Sequence, residues 1–176
     1  MKFVATPIAG AFVVEPELIE DERGGFARSF CQHEFEALGL DSAVAQCNIS
    51  FNRRRGTLRG MHFQADPHAE AKLVRCTRGA AWDVLVDLRP DSVTRLQWFA
   101  VELSAENRKA LFIPRGFAHG FQTLTDDTEI FYQMSEFYCP EVAQGLRWND
   151  PLLAIEWPNM SPILSPRDAA YPLLKA

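Results

Sequence analysis

Ten short runs of alternating apolar and polar residues, none longer than nine residues, leave little room in this chain for anything but β-structure. They include AFVVEP (11–16), FARSF (26–30), AQCNISF (45–51), TLRGMHFQ (57–64), KLVRCTR (72–78), AWDVLVDL (81–88), HGFQTLT (119–125) and EIFYQMSEF (129–137). Turn-forming clusters such as DERGG, RRRG, RPDS, SAEN and TDDT separate them. Strands at this spacing predict an all-β sandwich or barrel, with a jelly roll among the solutions. One short helix is expected at 32–39, QHEFEALG, ending at Gly39. The proline-punctuated tail from Pro158 reads as loop plus a short helix starting near Ser165 or Pro166. No composition shift marks a boundary, so one domain spanning 1–176 is expected.

Composition bears mainly on partners. The net charge is −5, which argues against non-specific nucleic-acid binding. An anionic small ligand stays open, because 14 of the 18 basic residues are arginine and the guanidinium fork suits phosphate. The four cysteines, Cys31, Cys47, Cys76 and Cys139, have no CxxC spacing and read as reduced thiols, mostly core packing. No apolar run approaches the ~18–20 residues of a membrane span, and the opening residues lack an apolar leader core. The expectation is a soluble, cytoplasmic protein.

Candidate chemistry starts from TLRGMHFQ. Strict alternation places Thr57, Arg59, Met61 and Phe63 on one face and Leu58, His62 and Gln64 on the other. A histidine on an inward face beside Gly60 suggests a cavity; the competing reading is a hydrogen-bonded histidine in a β-core. His119 lies in IPRGFAHGF, where Gly120 permits a close backbone approach. Lys72 opens the next strand, and antiparallel pairing would return it to His62. Tyr132 shares a face with Ile130 and Met134 and reads either as core aromatic or as acid. Asp168 either caps the C-terminal helix or orients a histidine by accepting its ring N–H.

Inward His, Lys and Tyr suit proton removal beside a carbonyl. Base and acid each contribute roughly 10²–10⁴-fold, and a donor or cation at the enolate oxygen adds roughly 3–4 kcal/mol. No metal is expected: the first strand offers a single histidine, His62, and His68 sits six residues on beside a proline. Arg23, Arg59 and the triplet Arg53, Arg54 and Arg55 are candidates to grip a phosphate, the triplet reading better as a solvated turn.

Together GTLRGMHFQ, KLVRCTRGAAWDVLVDLRPDS, LSAENRKALFIPRGFAHGF, EIFYQMSEFY and LRWNDPLLAIEWP closely resemble the dTDP-4-dehydrorhamnose 3,5-epimerase family. The likeness runs from about Ile8 to Leu174. It implies a cupin-type jelly roll without metal or cofactor, acting on a nucleotide-linked 4-keto-6-deoxy sugar with a dTDP-linked one favoured. It also implies His62 as base, Asp168 as its acidic partner, Tyr132 as acid, and Lys72 at the enolate. His119 would face the sugar, and Arg23, Phe26, Gln46, Asn48, Arg59 and Tyr138 the nucleotide and phosphates. Relatives are homodimers with exchanged strands, so early residues would serve the partner's site. Arg28, Gln133 and Phe137 stand where relatives often carry Glu, Lys and Tyr. Epimerisation at one carbon only, ketoisomerisation, a different nucleotide, and a non-catalytic sugar-nucleotide-binding cupin all stay open.

Overall fold

The computed structural model describes residues 1–174. Among these residues, thirteen strands and two short helices form two packed sheets and one hairpin arm. In the first sheet the order is β1 (Lys2–Ala5), β2 (Phe12–Glu15), β10 (Ala110–Ile113), β7 (Lys72–Arg78), β12 (Thr128–Met134) and β5 (Gln46–Asn52). The second runs β13 (Ala143–Gly145), β6 (Leu58–Gln64), β11 (Phe117–Thr123), β8 (Ala80–Asp87) and β9 (Trp98–Ser104). The arm pairs β3 (Ile19–Asp21) with β4 (Gly24–Phe26). All pairings between these strands are antiparallel, as expected for a jelly roll.

Alternation sorts the side chains into three layers. Val74, Cys76, Leu85, Leu103, Leu111, Phe117, Phe121 and Ile130 meet between the sheets. On the outer face of the second sheet, Leu58, Met61, Val84, Val86 and Ala118 are covered by Leu146, Trp148, Leu153, Ile155 and Trp157. The outer face of the first sheet, including Val14, Leu73 and Phe112, is covered by Phe35. Phe35 belongs to α1 (Gln32–Glu36), shorter than the expected 32–39 because Leu38 and Gly39 donate to Phe35 and Glu36 in three-residue turns. The tail forms α2 (Pro166–Ala170), capped by Ser165, whose side chain accepts from the Asp168 amide.

Three expectations need correction. FARSF is not a strand beyond Phe26; Arg28 is drawn to Glu34 instead, at 2.9 Å. The cysteines are free, but only Cys76 is buried, while Cys47 is exposed. Strict alternation also fails inside β6. His119 pairs with His62 but Phe121 pairs with Arg59, so three steps on β6 oppose two on β11. This bulge rotates Arg59 onto the same side as His62 and leaves Leu58 and Met61 in the outer layer.

Candidate active site

Gly60, at the bulge, does not open space for a ligand as its lack of a side chain suggested. A Cβ there would lie 2.5 Å from the Gly120 Cα, and its φ is +145°. The two glycines let β6 and β11 approach closely, which sets the positions of His62 and His119 on adjacent strands.

Both histidines line a cavity of about 300 Å³ between the sheets, with Arg59, Lys72, Tyr132 and Tyr138 among its other walls. His62 Nε2 lies 2.7 Å from Asp168 Oδ1. Asp168 is buried, whereas the His62 side chain is 42% exposed. Burial favours the neutral acid, but hydrogen bonds and charge from His62, with help from Ser165, outweigh it and hold Asp168 below its ordinary carboxyl pKa. An ionised carboxylate only accepts, so Nε2 carries a proton, and in the neutral imidazole the lone pair is on Nδ1.

Lys72 reaches this site from the opposite sheet rather than from a neighbouring strand. Its Nζ donates to the His62 backbone oxygen at 3.3 Å and pairs with Glu70 at 2.8 Å, both side chains being buried. His119 Nε2 sits 2.9 and 3.1 Å from the two oxygens of Asp83, which is fully buried. Tyr132 meets the His119 ring edge-on, with centroids 5.9 Å apart. Burial raises the Tyr132 pKa, and the Asp83 charge raises it further, against smaller opposing effects from Ser50 and Arg59. The phenol therefore holds its proton at neutral pH.

The mouth is basic and aromatic. Arg59 lines it with its Nε on Asn52 Oδ1 at 2.7 Å. Asn48 and Arg167 are further wall residues. Gln46 does not line the cavity; its side-chain Oε1 accepts from the Tyr138 backbone amide at 2.8 Å. Gln64 holds the same loop by accepting from the Cys139 amide. Arg23 and Phe26 lie on the exposed β3–β4 arm, where Arg23 pairs with Asp21, and neither enters this cavity.

Glu70 and Asp83 were missed in the sequence. Asp83 left a trace: it alternates with Ala81 and Leu85 on the inward face of AWDVLVDL, where a carboxylate needs a buried partner. Glu70 precedes its strand, and no periodicity pointed to it.

A family model described as dTDP-4-dehydrorhamnose 3,5-epimerase matches residues 5–176. The chain belongs to this family. It is accordingly an epimerase, an isomerase with a cupin-type jelly roll. It is 46% identical over 170 residues to the dTDP-4-dehydrorhamnose 3,5-epimerase of Escherichia coli K12, covering 96% of this chain and 91% of that protein. A crystal structure of the Bacillus anthracis epimerase with TDP and PPi bound superposes with a TM-score of 0.95 at 44% identity, covering 98% of this chain and 99% of that one. A Streptomyces niveus dTDP-4-dehydrorhamnose 3-epimerase is 40% identical over 162 residues, covering 92% of this epimerase and 78% of the relative.

Proposed function

We propose that the epimerase inverts C3 and C5 of a dTDP-linked 4-keto-6-deoxy-D-glucose, giving the 4-keto-L-rhamnose, by proton exchange through an enolate. The observation that carries this reading is one cavity holding a carboxylate-tethered imidazole and a protonated phenol. The C4 ketone acidifies the protons on the carbons flanking it. Nδ1 of His62 removes one of these protons, and the electron pair moves onto the C4 oxygen. The imidazolium that results faces the ionised Asp168, which stabilises it.

Lys72 supplies positive charge to the enolate oxygen from across the cavity, and His119, fixed by Asp83, bounds the same space. Such preorganised groups cost no reorganisation as charge develops. Tyr132 then gives its proton to the opposite face of the carbon, and the raised pKa of the phenol favours its recovery of a proton afterwards. Arg59 and Arg167 provide guanidinium groups for a diphosphate, and Tyr138 an exposed ring for the nucleobase. Arg23 and Phe26 complete the site from a second copy of the chain. Their absence from the walls of their own cavity supports this, as do Ile19 and Phe26, each more than 70% exposed on the arm.

Incubation with dTDP-4-keto-6-deoxyglucose in D₂O tests the reading. Deuterium at both C3 and C5, with inverted product by NMR, is expected. Label at C3 alone would favour the single-carbon outcome named for the Streptomyces relative. Label at neither carbon would contradict the proposal.

A further inference from the structure

Gly145 is a glycine that its own backbone does not require. It lies outside the left-handed region, on β13, opposite His62 in register. What excludes a side chain is Tyr171: a Cβ on Gly145 would collide with Cε2 and Cζ of that ring and lie 2.7 Å from Cε1. Tyr171 follows α2, and its carbonyl oxygen accepts from Arg147 Nε at 2.5 Å. The strap around it is sewn down on both sides. Ile163 bonds to Gly56 and Leu58, and the Leu174 amide donates to Asp150.

The seated ring meets the His62 imidazole edge-on, with centroids 5.9 Å apart and planes at 67°. Among the described residues the phenol oxygen is buried without a hydrogen-bond partner, and the Arg167 guanidinium lies over the ring, 5.8 Å from its centroid. Thus the ring, and not the hydroxyl, makes the useful contact. His62 needs such a contact, because it is part-exposed and its bond to Asp168 anchors one ring nitrogen while leaving the ring free to pivot about that bond.

We infer that Tyr171 is a positioning residue for the base, and that Gly145 is the seat that admits its ring. Together they hold the imidazole with Nε2 on Asp168 and Nδ1 toward the cavity. The inference rests on the reading of His62 as the base. Displacement of a reacting group by about 1 Å can cost up to about 10²-fold.

The test compares wild type with Tyr171→Ala, Gly145→Ala and Tyr171→Phe. Two readouts are taken: deuterium-exchange kinetics with the ketosugar, and the downfield NMR signal of the His62 Nε2 proton without substrate. Tyr171→Ala and Gly145→Ala are expected to lower kcat about tenfold with KM within about twofold, and to broaden the proton signal through faster exchange with water. Tyr171→Phe restores both readouts to near wild type. Gly145→Ala keeps the tyrosine, so it separates loss of the seat from loss of the residue. Wild-type kcat and signal in Tyr171→Ala would overturn the inference, as would equal damage from Tyr171→Phe. Because the proton signal is read without substrate, it decides the role of Tyr171 even if the assigned reaction fails.

Discussion

Burial of Asp168 works against its charge, yet its bonds to His62 and Ser165 keep its pKa below the ordinary 3.8. A carboxylate depressed in the folded state contributes stability that is fully present above its unfolded pKa. That contribution is lost as pH falls through the lower folded value. Asp168 is therefore ionised at pH 5, and an acid limb of activity at or above that pH does not come from Asp168. Asp168→Asn changes what the partner offers, because an amide can donate to Nε2. The imidazole proton would then move to Nδ1 and the base would be lost. We expect kcat to fall about 10³-fold with the fold intact, by analogy with the wrong tautomer in a serine protease triad. A loss below tenfold would show that Asp168 does not set the tautomer. At this scale the sequence was informative where a polar residue sat inside an apolar alternation, as with His62 and Tyr132; Asp83 carried the same signal and was passed over. It was silent on Glu70, which lies just before β7 and outside any alternation, although its partner Lys72 is only two residues away.

Alternation located most strands because each has one face toward apolar neighbours, and that periodicity is local. The β6 bulge is not local. It depends on Gly60 meeting Gly120, sixty residues later in the chain, and it shifts the phase of every side chain beyond it. That is why Arg59 and His62, placed on opposite faces by strict alternation, share one. Gly60→Ala tests the role of the contact. The new methyl would meet the Gly120 Cα at 2.5 Å on a backbone at φ +145°. We expect destabilisation of about 3 kcal/mol, or a melting temperature about 6–12 °C lower, with activity lost as β6 returns to regular pairing. An unchanged melting temperature would show that the strands can separate there at little cost. The short α1 has a similar lesson: glycine marked where the chain turned, but three-residue turns ended the helix before it.

Arg23 and Phe26 lie outside the walls of the chain's own cavity, and their proposed service to a second copy is a property that a single sequence reveals only through resemblance. The edge strand β5 carries Ile49, 65% exposed, next to the wall residue Asn48 and is an available surface for such pairing. If arms are exchanged, a dimer mixed from Arg23→Ala and His62→Ala chains contains one site with both residues intact. Unfolding and refolding the two variants together is expected to give activity clearly above the mean of the separate preparations. Activity equal to that mean would contradict exchanged arms. The central claim, that His62 and Tyr132 work on one ketosugar from opposite sides, is tested most directly by following deuterium wash-in and product inversion separately in His62→Ala and Tyr132→Phe. We expect no label at either carbon in the first variant. In the second, label should still enter while inversion slows by at least about 10²-fold. Wild-type exchange by His62→Ala, or equal loss of wash-in and inversion in Tyr132→Phe, would contradict the division of labour.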